Sequence, residues 1–418
     1  MPRGALDPDA VRALTARLSD VDARRAARHP GDHGGRQPVH TCYVPAGQVG
    51  EDLVLDWGSR ALAALREHAG TPGELAAVLD LPDGLAPIIH TRIAAKLAAE
   101  PIEDLRIDFE DGYGAPGDDT EDADAERTAL IVAGWHRDGV APPHLGLRMK
   151  SFDTAALRDR GIRTLDVFLS TLLAAGPPPP GLVVTFPKVT AVEQVEVLVE
   201  VLALLESRLG LRDGALRFEV QVETTQSIVD DSGRLALPGF ITAGRGRVTG
   251  LHFGTYDYTA GCGLGAAHQH LAHGACDFAR HVMQVSAAGT GVRLSDGSTI
   301  ILPVGDASAV RHGWRTHFDL VRRSLEHGFY QGWDLHPAQL VTRYAAVHAY
   351  YLRGAEADAR RLTAYVAKAG GGILDEPATA QALSTSFLRA LDCGALDPAE
   401  VQRVTGLSRD ELRALAKR

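Results

Sequence analysis

Short apolar runs alternate along most of the chain with longer stretches in which Leu, Ala and Val recur every three or four positions. The short runs, bounded by Gly, Pro and polar residues, read as buried strands, and the spaced stretches read as helices. Eight runs qualify as strands: VHTCYV (39–44), LRIDF (105–109), HLGLRM (144–149), LVVTF (182–186), FEVQV (218–222), VTGLHF (248–253), TIILPV (299–304) and FYQGWDL (329–335). Helical text fills 58–69, 73–80, 119–138, 154–175, 191–209 and 317–329. Strand followed by helix, repeated, implies a parallel sheet. Eight such units in about 310 residues favour a closed (β/α)8 TIM barrel, an α/β fold, over an open doubly wound sheet.

Two flanks fall outside that count. Residues 1–38 form an N-terminal helical extension, with Val11, Leu14, Leu18 and Val21 on one face of a helix over 8–29, then the Gly-rich HPGDHGGRQP. The barrel itself is expected over 39–353. Residues 354–418 read as a C-terminal helical lid or oligomerisation segment, with helices at 354–368, 376–391 and 397–417 and a break at AGGG (369–372). GPPPPG (176–181) reads as a stiff connector, and GRGR (244–247) and GTGVRLSDG (289–297) read as turns.

Composition narrows the function more than the fold. A net charge of −10 with no basic run along the sequence argues against nucleic acid or an anionic membrane as partner. No apolar run reaches the ~18 residues of a membrane span, and the start, MPRGALDPDAVRALTARL, lacks the apolar core of a signal peptide. Four cysteines, Cys42, Cys262, Cys276 and Cys393, have no CxxC spacing, which suits free thiols in a reducing compartment. The expectation is a cytoplasmic enzyme.

In a barrel of this kind, chemistry sits just past the C-terminal ends of the strands. Ionisable residues recur there: Asp108, Glu110 and Asp111 after strand two, Arg148 after three, Lys188 after four, Glu223 after five, Asp257 after six, and Asp334 and His336 after eight. Carboxylates at the ends of adjacent strands, roughly 4.8 Å apart, can share one divalent cation. A purely structural reading makes Glu223 a solvated strand end and Asp257 a helix cap, but the repetition at one rim favours a site. The insert HQHLAHGACDFARH carries His268, His270, His273 and Cys276, all zinc-ligand types. Their spacing matches no zinc pattern and reads as a rim loop.

The residues at these strand ends also resemble a family. IDFED resembles the D-x-E-D strand of the HpcH/HpaI aldolase and citrate lyase β-subunit superfamily, which includes malyl-CoA lyase-like and compact malate synthase-like proteins. LRMK resembles its arginine strand, FPKV its L-P-K-V strand, VETTQS its I-E-T segment and FGTYD its F-G-x-x-D. GFYQGWDLHPAQ and ILDEP resemble its H-P-x-Q and I-D-x-P segments. All seven occur in family order between about 40 and 380, although Gln331-Gly332-Trp333 stands where the family has Gly-Lys.

The resemblance implies Mg²⁺, for which Mn²⁺ can substitute, held by Glu223 and Asp257. It implies Arg148, Glu110, Asp111 and Asp375 as catalytic residues, with Asp375 a general acid/base carried on the C-terminal segment. Arg148, Lys188, Gly254, Thr255 and His336 are the candidates for contact with substrate. A Schiff base on Lys188 would be redundant beside a metal, and Asp375 as a plain helix cap stays open. The implied reaction is Mg²⁺-dependent carbon–carbon cleavage, or the reverse Claisen-type condensation, on a 2-oxo or hydroxy acid through an enolate. The acid could be free or a CoA thioester. Alternatives are a free-acid 4-hydroxy-2-oxo acid aldolase without CoA, a phosphoenolpyruvate-type mutase or hydrolase, and a non-catalytic barrel that binds a small acid. The family also implies a homo-oligomer, a trimer or hexamer.

Overall fold

The computed structural model describes residues 5–32, 34–82, 84–367 and 376–417. Its centre is an all-parallel barrel of β1 (His40–Pro45), β2 (Asp104–Asp108), β3 (His144–Arg148), β4 (Val183–Phe186), β5 (Arg217–Val222), β6 (Val248–Phe253), β7 (Arg293–Ser295) and β8 (Gly332–Asp334). The pairing order is β7-β6-β5-β4-β3-β2-β1-β8. A parallel bridge between Ser295 and Gln331 brings the two outer strands together. Helices lie between successive strands, as crossovers between parallel neighbours require.

Seven of the eight expected strands lie where the apolar runs are. The seventh does not. TIILPV is a rim segment whose Ile300 and Ile301 are 63% and 42% exposed, and the seventh strand is the three-residue Arg293–Ser295, inside the stretch read as a turn. β-branched residues favour strands only when a partner face buries them. Here the backbone of 299–304 is satisfied without a sheet: Ile300 N donates to Tyr256 Oη at 2.8 Å and Ile301 N to Thr299 Oγ1 at 3.1 Å.

Two helical readings also change. A helix over Ala86–Ala99, which buries Ile89, Ile93 and Leu97, stands before β2 where the sequence reading has none. After β8 one helix runs unbroken from Gln339 to Val366, so residue 353, the expected edge of the barrel, lies inside it. The helices Pro377–Asp392, Pro398–Thr405 and Arg409–Ala416 follow. Arg92 reaches across to Glu400 at 2.6 Å, tying this tail to the barrel's outer helices. In the N-terminal extension Leu14, Leu18 and Val21 are exposed, so the expected apolar face has no partner among the described residues.

The usual apolar packing lies between strands and helices, where Leu105, Ile107, Leu147, Val184, Val220 and Leu251 are buried. The barrel's inside is different. Side chains alternate along a strand, and the inward set includes Asp104, Arg106 and Asp108 of β2 with Glu219 and Gln221 of β5, all buried. Barrel interiors are ordinarily filled by branched aliphatics; this one is filled by ion pairs. Arg106 holds Glu219 through Nε and Nη2 at 2.8 Å each and also meets Asp104.

Candidate active site

Strand register places the site. In the β2–β3 pair Asp108 is the partner of Arg148, and in the β5–β6 pair Val222 is the partner of Phe253. One residue further along, Glu223 therefore sits beside Gly254. A Cβ on Gly254 would lie 2.5 Å from Glu223 Cβ and 2.6 Å from its Oε2, so the glycine is the space the carboxylate occupies.

Arg148 is buried and aimed by its neighbours. Nε and Nη2 donate to the two oxygens of Asp108 at 2.6 and 2.7 Å, a fork-to-fork pair that fixes the guanidinium plane. Nη1 is left facing Gln221 Oε1 and Glu110 Oε2, both at 3.3 Å. The Tyr43 ring lies 5.0 Å from the guanidinium carbon, a cation–π distance. Asp108 also accepts the backbone N–H groups of Glu110 and Gly112, which shapes the turn carrying the next two carboxylates.

Lys188 is the hub. Its Nζ donates to Glu110 at 2.7 Å, Asp111 at 2.8 Å and Asp257 at 3.3 Å, while its backbone N–H donates to Glu223 Oε1 at 2.8 Å. The residue sits at φ +52°, a left-handed conformation uncommon outside glycine. That strain holds the backbone N–H on Glu223 and the ammonium among the other carboxylates. Gln221 donates from Nε2 to Glu223 Oε2 while accepting from Arg148, linking the two halves of the site.

The electrostatics follow from crowding. Burial pushes Glu223 up to about 8; Glu110 and Asp257 push the same way, and Lys188 only partly offsets them. Burial likewise raises Glu110, against the pull of Arg148 and Lys188. For Asp111 burial is outweighed by the Lys188 hydrogen bond, and its carboxyl is held low. The Lys188 ammonium loses hydration by burial but gains more from Glu223 and Glu110, so it stays protonated.

The expected residues are thus brought together in large part. Glu110, Asp111, Arg148, Lys188, Glu223, Gly254 and Asp257 meet at one mouth. Thr255 is buried at the start of the helix Thr255–Gly261, which carries Asp257 in its first turn, and its hydroxyl has no partner. His336 is set apart: its Nδ1 accepts from Ala338 N and its backbone N–H donates to Gln339, at the start of the long helix. Asp334 is not at the mouth either. It is fully buried between Arg343, His317 and His40 as part of the wall. Asp375 lies outside the described residues. His273 caps the helix Gly274–Ala287, and the His-rich insert gathers no metal cluster. Gln221 and Tyr43 are additions that the sequence reading lacks.

Among the described residues no group of three or more His, Cys, Asp or Glu is placed to hold a metal ion. Mg²⁺ needs less: one or two protein carboxylates, with water or substrate oxygens completing its shell. Glu223 and Asp257 fit that requirement in number and in hard-oxygen chemistry, and both already border a cation, Lys188. The mouth also carries more carboxylates than cations, because Arg148 is matched by Asp108.

The comparisons agree with the fold. A family model described as Domain of unknown function (DUF6986) matches residues 18–418, so the chain belongs to that family. No curated protein matches the sequence. Among solved structures, a citrate lyase from Burkholderia xenovorans LB400 is similar at 19% identity and a TM-score of 0.57, over 88% of this chain and 96% of that one. Haloferax volcanii malate synthase, as a magnesium/glyoxylate complex, gives 16% identity and 0.48 over 91% of this chain and 97% of that one. The protein CitE from Mycobacterium tuberculosis, in complex with magnesium, acetoacetate and coenzyme A, gives 18% and 0.47 over 86% and 99%. Of these three the first passes 0.5, and at its identity it shows a shared fold alone.

Proposed function

We propose that this DUF6986 protein is a Mg²⁺-dependent carbon–carbon lyase, or a condensing enzyme in the reverse direction, acting on a 2-oxo or hydroxy acid through an enolate. What carries the reading is the convergence of four carboxylates from three strand ends on Lys188, directly beside Arg148 Nη1, whose contacts to Gln221 and Glu110 are long at 3.3 Å. That is a place for a chelated anion, not for a structural ion pair. Glu223 and Asp257 would hold the Mg²⁺, which when bound supplies Lewis-acid polarisation of the substrate's oxygens.

The chain's own residues supply the rest. Asp108 takes Nε and Nη2 of Arg148 at 2.6 and 2.7 Å, and Nη1 is the more loosely held donor, at 3.3 Å from Gln221 and Glu110, so it is the one that turns to grip a substrate carboxylate or the developing enolate oxygen. Asp108 and Tyr43 keep that donor from turning away. Glu110, bound by Lys188 and Arg148, orients water at the mouth. Asp375 is proposed as the acid/base that exchanges the carbon-bound proton, arriving with a closing segment that excludes water. Asp375→Asn should then keep metal affinity and lose turnover; full activity in that variant makes the residue a helix cap.

The assignment is tested by incubating the Mg²⁺-loaded protein with glyoxylate or pyruvate plus acetyl-CoA. Malyl-CoA and 4-hydroxy-2-oxo acids are supplied in separate reactions, and products are identified by mass spectrometry. Turnover of the thioesters points to a CoA-dependent enzyme, and turnover of the free acids alone to an aldolase. No product from any of them, in protein shown to bind Mn²⁺, refutes the reading.

A further inference from the structure

The end of the barrel opposite the carboxylate cluster holds a second feature. A cavity of about 1420 Å³ opens at the N-terminal ends of the strands, lined by Asp104 of β2, His144 of β3, Val183 of β4, Arg217 of β5 and Val248 of β6. The helix Ser19–Arg28 borders it with Arg24, Arg25 and Arg28. The segment after that helix is fastened beneath the barrel. Gly31 N donates to Gly289 O at 2.8 Å, and Arg293 donates to the carbonyls of Gly35 and Arg36.

The charge around this cavity is one-sided in a protein of net charge −10. Its two lining carboxylates, Asp104 and Glu219, are both bonded to Arg106. Arg24, Arg28, Arg212 and Arg217 also line it and are exposed, and among the described residues none of them has a salt-bridge partner. Arg24 and Arg28 stand four apart on one helix, a spacing at which like charges repel. Unpaired guanidinium groups gathered around one cavity give it a positive potential that favours an anion, and the planar fork suits phosphate and carboxylate groups. On the floor, buried His252 gives its Nε2 to Glu219 at 2.9 Å, and its Nδ1 is buried with no partner. That nitrogen is closed off from the cavity, so recognition rests on the arginines that line it.

We propose that this N-terminal face is a binding site for a small organic anion carrying two or more phosphate or carboxylate groups, separate from the catalytic mouth. The cavity exceeds the ~300–1,000 Å³ of ordinary ligand pockets, so the ligand occupies part of it and bridges the Ser19–Arg28 helix to the barrel. It thereby fastens the N-terminal extension, which packs little apolar surface of its own. The proposal stands whether or not the catalytic reading does.

The test is calorimetric titration of the full chain in EDTA at low salt with three probes: pyrophosphate, ATP and citrate. At least one should bind saturably and weaken as salt rises. Binding by pyrophosphate and ATP without citrate identifies phosphate as the recognised group, and the converse identifies carboxylate. The double variants Arg24→Ala/Arg28→Ala and Arg212→Ala/Arg217→Ala remove exposed side chains, so both should melt as the wild type does and bind at least ~10-fold more weakly. Glu223→Ala should bind as wild type. No saturable binding of any probe, wild-type affinity in either double variant, or a loss confined to Glu223→Ala overturns the site.

Discussion

Gly254→Ala is the sharpest probe of how the proposed catalytic mouth is built. Gly254 has φ −104°, ordinary for any residue, so alanine introduces no backbone strain. The whole effect comes from one methyl group, placed 2.5 Å from Glu223 Cβ and 2.6 Å from its Oε2. Cβ atoms essentially never approach this closely, and Glu223 Cβ, anchored to β5, cannot swing away as a side-chain tip would. Relief needs about an ångström of movement between β5 and β6 or of the carboxylate. Overpacking on this scale costs roughly 1–3 kcal/mol of stability, and an ångström of misplacement at a reacting centre costs on the order of 10²-fold in rate. The expected result is a folded protein with modestly reduced melting temperature, Mn²⁺ affinity down at least ~10-fold by titration, and turnover down ~10²-fold. Gly239→Ala is the control, since a Cβ there meets nothing within 4 Å. Wild-type Mn²⁺ affinity in Gly254→Ala would refute the claim that the glycine exists to seat Glu223.

Three further outcomes are expected. Arg148→Lys keeps the charge but loses the fork that binds Asp108 while presenting Nη1, so turnover should fall at least ~10²-fold, and near-normal turnover removes Arg148 from the reaction. Lys188→Met leaves Glu110 without its ammonium, so the variant should melt lower than wild type in EDTA and recover part of the loss with Mg²⁺; an unchanged melting temperature in EDTA refutes the hub role. His348, fully buried with its ring bonded to Cys393 O, has its pKa lowered to about 4 by burial, below its unfolded value. The unfolded chain then binds the extra proton first, so stability is kept above about pH 6.5 and lost as pH falls towards 4, by on the order of 2 kcal/mol between pH 7 and 5. His348→Gln should lose less stability over that interval than wild type does, and an equal loss in both refutes the assignment.

What the sequence showed and what it hid divide by physical cause. FEVQV and VTGLHF announce themselves because a buried parallel strand must be apolar, and the polar residues after them mark the strand ends. Arg293–Ser295 does not, since three residues between Val292 and Asp296 have no period to detect, while TIILPV has strand propensity and no face to bury it. Ala86–Ala99 carries its helix openly, with Ile89, Ile93 and Leu97 four apart, and is simply passed over by a reading drawn to strands. The carboxylates and Arg148 were legible as residues at strand ends. Their pairing was not, because Asp108 opposite Arg148 and Glu223 beside Gly254 depend on register between strands forty and thirty residues apart. Gln221 could have been found as the residue two before Glu223, on the same face. The cationic cavity was hidden by dispersal: Arg24, Arg28, Arg212 and Arg217 form no run, and the folded topology alone collects them.

The charged interior explains why the mouth can be so crowded. A buried ion pair contributes little net stability, since desolvation consumes most of the attraction, but it tolerates only one geometry. On β2 the inward positions Asp104, Arg106 and Asp108 form successive steps, and Glu219 and Gln221 on β5, with Glu223 just past its end, form another set. Arg106 clasps Glu219 on the lower step, and Arg148 spans Asp108 and Gln221 on the upper one. An aliphatic filling would hold the strands together equally well yet leave Arg148 and Glu223 free to shift against each other. Stacked ion pairs transmit the register of β2 and β5 upward, so the position of Glu223 is determined from below by Glu219 and from the side by Gln221. The fold gives up part of its apolar core, and in return the groups at the carboxylate mouth are held in place in advance, as the proposed catalysis requires.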